Sequence, residues 1–309
     1  MTSQQASQLE EAKQLGDKVT KLYNEGKYDE ALPQAKRALE IIEKNLGPED
    51  PLIVSALINL GEIYIAKRKY GEGQELLERA VKIYEKTVGP NTPRIGELLD
   101  RIALTNYARG NSQKTEKLYL RALAIREKAY GGESAEVGKS LSKLAEYYLL
   151  EGLYEKAGDV FKRLLPIREK KAGVKNQALI ETLERYACLM RKKGQEDEAL
   201  KLEGRASSLS DVNPNNLPPV EADIVNGRAI SLPKPSYPEQ ARAARVTGLV
   251  IVRVLIDERG KVIRACALSG PLPLQLSSEW AAYGAKFTPT LVNGTPVKVT
   301  GIITYNYLL

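Results

Sequence analysis

A period of 42 residues, held over the first two-thirds of the chain, limits what this sequence can fold into more than any other feature. Tyr28, Tyr70 and Tyr154 fall on one column. Ala38, Ala80, Ala122 and Ala206 fall on a second, and Ala31, Ala157 and Ala199 on a third. The string I-x-E-K recurs from Ile41, Ile83, Ile125 and Ile167, and a glycine closes the unit at Gly47, Gly89, Gly131 and Gly173. Self-similarity at a fixed spacing of this size is the mark of a stacked array, in which each unit buries its apolar face against the next.

Within a unit the apolar residues recur at three and four, as in Leu60, Ile63 and Tyr64 or Leu76, Leu77, Ala80, Val81 and Tyr84. That spacing predicts two amphipathic helices per unit. Short breaks at Gly26-Lys27, Arg68-Lys69, Gly110-Asn111, Gly152-Leu153 and Gly194-Gln195 separate the first helix from the second. Longer breaks such as Gly47-Pro48-Glu49-Asp50-Pro51 separate one unit from the next, with Gly as the stop and Pro as the restart. Small side chains sit where paired helices should cross: Val19, Gly61, Ala103, Ala145 and Ala187 on the first helices, and Ala38, Ala80, Ala122, Leu164 and Ala206 on the second. They permit close approach of the axes.

These columns resemble the tetratricopeptide repeat, and the long unit with its L-G-P-x-x-P linker is similar to the kinesin light chain variety. The resemblance covers residues 8–209, or five helix pairs, and implies an all-α solenoid whose first helices line a concave groove for a peptide or partner protein. The groove-facing column reads Asp17, Asn59, Arg101, Lys143 and Arg185. Asn59, Arg101, Lys143 and Arg185 are therefore the expected partner-binding residues, and the run of three basic residues would favour an acidic segment.

After Ala206 the helical period stops, and the Ser-, Asn- and Pro-rich stretch 210–223 reads as a linker. Beyond it the period changes from 3.6 to 2. Asn226-Gly227, between Ile224-Val225 and Ala229-Ile230, signals a tight hairpin. Tyr237 to Arg245 reads as a short helix with Pro238 at its start. Gly248 to Ile256 reads as a strand with Val250, Val252, Val254 and Ile256 on one face, and Lys261 to Leu268 as its partner across the Asp257-to-Gly260 turn. A second helix over Leu274–Lys286, an Asn293-Gly294 turn and a last strand over Pro296–Tyr307 complete an α+β domain: an antiparallel sheet with helices on one face.

The P-x-Y-P at Pro235–Pro238, the G-x-V-x-V from Gly248, the D-x-x-G at Asp257–Gly260 and the F-x-P at Phe287–Pro289 resemble the C-terminal domain of TonB-family proteins over residues 224–309. The resemblance implies an envelope domain that pairs a sheet edge with an extended peptide, the TonB box of an outer-membrane transporter. Lys234, Pro235, Ser236 and Tyr237 are the positions to which it assigns peptide contact. The chain departs from the best-known member at Lys234, where that protein has Gln, and at Ala285, where it has Trp. It also shows neither a membrane helix nor a long Pro-rich spacer before this domain, so energy transduction is not expected.

The multidomain reading is thus an array over 1–209, a linker over 210–223 and a TonB-like domain over 224–309. The chain has no histidine, which removes the usual general base and a common metal ligand. Cys188 and Cys266, in different predicted domains and without C-x-x-C spacing, indicate neither a zinc site nor a disulfide framework, and both read as small buried hydrophobes. Ser140-Leu141-Ser142-Lys143 fits S-x-x-K by chance, inside a helix and without the companion motifs. The expectation is a non-enzymatic adaptor with no cofactor and no metal site. The net charge of +7 is spread along the chain rather than gathered into a stripe, so nucleic acid is not expected. No run of about 18 apolar residues spans a bilayer. The polar N-terminus carries no signal sequence as numbered, and periplasmic location presumes that one has been removed. A cytoplasmic location is the alternative.

Overall fold

The computed structural model describes residues 2–170, 176–209 and 219–309. Gly173 and most of the expected linker, residues 210–218, lie outside the described residues. The chain divides into two compact units, residues 1–140 and 141–309, with the division falling inside the seventh helix.

The first unit holds α1 (Ser3–Asn24), α2 (Tyr28–Leu46), α3 (Ile53–Ala66), α4 (Tyr70–Thr87), α5 (Pro93–Ala108), α6 (Ser112–Tyr130) and the start of α7 (Ala135–Leu150). α1 packs on α2, α3 on α4 and α5 on α6, each pair also meeting its neighbour. The expected small residues are buried at these crossings, with Ala80, Ala103 and Ala122 wholly enclosed. Turns inside the pairs use a left-handed residue at one fixed place: φ is 74° at Gly26, 60° at Arg68 and 79° at Gly110. Pro93 opens α5 as expected, because a proline at the first helical position gives up only an amide that had no helical partner. Arg126 and Asp100 form a buried ion pair at 2.8 Å, and Arg126 also donates to Ser140 Oγ at 2.6 Å. Ser140 is itself buried, so the S-x-x-K match holds an enclosed hydroxyl that serves packing.

The second unit continues α7 and adds α8 (Tyr154–Lys170), α9 (Gln177–Lys192) and α10 (Glu196–Leu209), with left-handed turns again at Gly152 and Gly194. After the undescribed stretch come β1 (Val220–Ile224), a 3-10 turn over Asn226–Arg228, β2 (Ala229–Ser231), α11 (Glu239–Ala243), β3 (Gly248–Ile256), β4 (Val262–Ser269), α12 (Leu272–Tyr283), β5 (Lys286–Phe287), β6 (Thr290–Val292), β7 (Thr295–Val297) and β8 (Val299–Tyr307). The main sheet has the order β1-β8-β3-β4. β3 pairs antiparallel with both β8 and β4, and Val250, Val252, Val254 and Ile256 are buried in its core face as the period-2 pattern requires.

The β3–β4 turn shows why its sequence is restricted. Asp257 Oδ1 accepts from the backbone amides of Arg259 and Lys261 at 2.9 and 2.8 Å. Gly260 has φ of 80°, and a Cβ there would lie 1.8 Å from the Phe287 carbonyl oxygen. The second Asn-Gly, Asn293-Gly294, makes the expected tight turn between β6 and β7, with φ of 50° and 79°.

Two expectations fail in this region. Asn226-Gly227 does not form a hairpin: β1 pairs in parallel with β8, and β2 pairs with β5. The reason is the Asn226 side chain, whose amide donates to the Thr304 carbonyl at 2.7 Å and accepts from the Thr304 amide at 2.9 Å. It stands in for a strand residue rather than for a turn. Residues 220–223, read from sequence as linker, are accordingly strand, bonded to β8 through Val220 N–H and the Lys298 carbonyl at 2.9 Å.

Candidate functional site

The expected groove residues fall in both units. Asn59 lies half-buried on α3, and Arg101 on α5 is exposed. Lys143 on α7 and Arg185 on α9 are also exposed. The basic column has an acidic companion that the sequence reading missed. Arg101 is ion-paired with Glu62 of α3, and Arg185 lies 3.8 Å from Glu146 of α7. Three residues beyond the basic column the period gives Thr20, Glu62, Leu104, Glu146 and Cys188, so the signal was present one column away. Arg101 and Arg185 therefore present a charge already balanced in part, and such half-exposed pairs contribute at most about 1 kcal/mol each.

The same column ends on Cys188, where the cysteine expectation is overturned. Cys188 of α9 and Cys266 of β4 form a disulfide, with Cα atoms 5.7 Å apart. A separation of 78 residues between two unlike kinds of element leaves no spacing pattern to read. Cys188 is half-buried on α9 and Cys266 is buried on β4. Around the disulfide, Arg264 of β4 donates to Glu184 of α9 at 2.9 and 3.0 Å, and Lys192 of α9 donates to Gln275 of α12 at 2.8 Å. Burial pushes the Glu184 carboxyl up, against the opposing pull of Arg264. Burial likewise pushes the Lys192 ammonium down, opposed by Glu279.

Within the second unit these contacts border a cavity of about 420 Å³ lined by Glu181, Glu184, Lys192, Cys266, Trp280 and Tyr283 among others. Trp280, the chain's single tryptophan, is 69% exposed on its rim. Most of the lining charges are paired with one another, and among the described residues no cluster of His, Cys, Asp and Glu is placed to hold a metal ion.

The expected peptide-contact residues form an extended segment between β2 and α11. Lys234 and Ser236 are exposed, and Pro235 and Tyr237 half-buried. Tyr237 has a structural part: its hydroxyl donates to the Val246 carbonyl at 2.5 Å, and its ring meets Tyr307 of β8 edge-on at 5.4 Å. The segment thus stands beside the end of β8.

The two outer edges of the main sheet differ. On β4, the outward amide of Ala267 donates to the Glu279 carboxylate at 2.8 Å, and the backbone of Ala265 hydrogen-bonds the Tyr283 hydroxyl. Both acceptors come from α12, so that edge is closed by side chains. The other edge is β1, a five-residue strand largely exposed on both faces.

A family model for the tetratricopeptide repeat matches residues 22–86, 52–128 and 94–170. A second, described as Gram-negative bacterial TonB protein C-terminal, matches residues 233–309. Among solved structures, the nearly identical TPR-like repeats of a Podosopora anserina protein described as a kinesin light chain are 22% identical. The TM-score is 0.57, over 64% of this chain and 93% of that one. BtubC (BKLC) from P. vanneervenii is 16% identical with a TM-score of 0.50, over 71% of this chain and 95% of that one. No curated protein matches the chain. At such identities the likeness to solved structures is one of fold, and among the described residues no helix is long and apolar enough to cross a membrane. The chain carries tetratricopeptide repeats over residues 22–170, followed by a TonB-type C-terminal domain over residues 233–309.

Proposed function

We propose that this chain is a non-enzymatic adaptor of the bacterial cell envelope. Its repeats, through residue 209, bind a partner protein, and the TonB-type domain beyond the linker pairs with an extended peptide. The observation that carries the reading is the joining of two recognition folds in one chain, a peptide- or protein-binding repeat and an envelope-type domain. The Cys188–Cys266 disulfide supports a periplasmic site of action, because such bonds persist in oxidising compartments and are rare in the cytosol. Asn59, Arg101, Lys143 and Arg185 serve the repeat side of this function, and Lys234, Pro235, Ser236 and Tyr237 the peptide side. A role as an accessory component of TonB-type outer-membrane transport or secretion is the more specific form of the same reading, and a cell-wall contact is its rival.

The test uses the full chain and two variants as baits in a Gram-negative envelope extract. One variant reverses charge at Arg101, Lys143 and Arg185, and the other replaces Lys234 and Ser236 by glutamate. Loss of one captured protein with the first variant and of an outer-membrane transporter with the second is the expected result. Unchanged capture by both variants overturns the residue assignment, and retention on peptidoglycan alone favours the cell-wall reading.

A further inference from the structure

Residues 220–226 cover the outer edge of β8 with a run of the chain's own backbone. Val220 N–H donates to the Lys298 carbonyl and Val225 N–H to the Ile302 carbonyl, each at 2.9 Å. The Asn226 amide takes both backbone groups of Thr304. The pairing is parallel, matching Val220 with Val299, Glu221 with Thr300 and Ile224 with Ile302, and its register shifts between Glu221 and Ile224.

The segment holds on by few side chains. Val220 is 40% exposed and Ile224 62%, while Val225 is the buried anchor at 3%. Val225 fits a notch made by Gly301, where a Cβ would come within 2.5 Å of Val225 Cγ1. Glu221 adds an ion pair to Arg253 at 3.0 Å. The strand is short, irregular and mostly exposed, and parallel pairing is slightly less stable per residue than antiparallel. It covers β8 while the opposite sheet edge is closed by α12.

We propose that segment 220–226 is an internal occupant of the edge at which this domain takes an extended peptide, and that a partner peptide of the same chemistry displaces it. This rests on the reading that the domain pairs with such a peptide. The geometry sets the peptide's features: it runs parallel to β8, places an acidic residue opposite Arg253, and four residues later a β-branched residue for the Gly301 notch. An asparagine follows, to clamp Thr304. Backbone bonds to β8 supply general affinity, and these three positions supply selection. An internal competitor lowers apparent affinity by the fraction of time it occupies the edge, so weakening it raises affinity without altering the edge itself.

The experiment measures binding of a fluorescein-labelled synthetic peptide, Val-Glu-Ala-Asp-Ile-Val-Asn-Gly, to the full-length protein by anisotropy. The receptors are the wild-type chain, Asn226→Ala, and the double variant Val225→Ser with Asn226→Ala. Circular dichroism and the intact disulfide report folding, and Asn226→Ala alone serves if the double variant unfolds. The expected result is binding at least ten-fold tighter to the weakened variants than to wild type. It should be lost when the peptide's second valine is replaced by aspartate and when Gly301→Ala is added to the receptor. Equal affinity for wild type and variants overturns internal occupancy while leaving peptide pairing in place. Absence of binding to every receptor overturns both. A concentration-dependent dimer by light scattering would assign the edge to a second copy's segment and overturn the proposal of a partner peptide.

Discussion

Gly73 of α4 faces the backbone of Gly61 of α3 so closely that a Cβ on Gly73 would lie 2.8 Å from the Gly61 carbonyl oxygen and 2.7 Å from Ile65 Cγ1. Neither helix can move aside without disturbing its other neighbour. Gly73→Ala is therefore expected to destabilise the repeats by about 1–3 kcal/mol, the usual range for overpacking, despite alanine's better helix propensity. Ala103→Leu, at the matching crossing of the next pair, should cost a similar amount. Urea denaturation followed by circular dichroism checks both, and an unchanged midpoint for Gly73→Ala would show that the crossing relaxes.

The disulfide closes a loop of 78 residues. In the chain-entropy account a loop of that size contributes about 4.5 kcal/mol through the unfolded state. Replacing Cys188 and Cys266 by serine, or adding dithiothreitol, should lower the stability of the second unit by up to this amount. Trp280 is the only tryptophan and lies in that unit, so its fluorescence reports the transition directly. A Trp280 transition indifferent to reductant would contradict the expectation.

Arg264 compensates a carboxylate that burial disfavours. Arg264→Met should cost about 3 kcal/mol at neutral pH, because it leaves Glu184 charged in a partly enclosed place. The Glu184 carboxyl is held above its usual range by burial, so it contributes stability at pH below the ordinary carboxylate value, and this is lost as pH rises through the raised one. Removing Arg264 takes away the opposing pull and raises that value further. The deficit of Arg264→Met should therefore shrink as pH falls from 7 towards about 4, and a deficit constant over that interval would assign the loss to packing instead.

Tyr305 of β8 is buried, and its hydroxyl has no hydrogen-bond partner among the described residues. Burial pushes its pKa up to about 12. The stability it contributes is complete below the ordinary tyrosine value near 10 and is lost as pH rises from there through 12. Tyr305→Phe should be neutral or stabilising by about 1 kcal/mol at pH 7, since an unsatisfied buried group is removed. It should also flatten the fall in stability between pH 10 and 12, as thermal denaturation at stepped pH would record.

The sequence carried the repeats legibly because periodicity is a property of the chain: columns at Ala38, Ala80 and Ala122 or Gly26, Gly110 and Gly194 are crossing and turn positions wherever the unit is stacked. β3 was equally plain, its alternation running from Val250 to Ile256. What could not be read were contacts between unlike periods. Nothing local joins Cys188 on a helix to Cys266 on a strand, or Arg264 to Glu184. Asn226-Gly227 misled for a related reason. The dipeptide favours a tight turn locally, but Thr304, 78 residues away, offers the asparagine a pair of backbone groups that the turn does not. The basic column at Arg101 and Arg185 is legible by itself, but its pairing with Glu62 and Glu146 depends on how neighbouring helices stack.

The covalent link between α9 and β4 spans the undescribed stretch 210–218. Load applied between α9 and β4 would pass through sulfur and the Arg264–Glu184 contact. In an oxidising compartment the chain would behave mechanically as though its repeats and its sheet had been joined at residue 188.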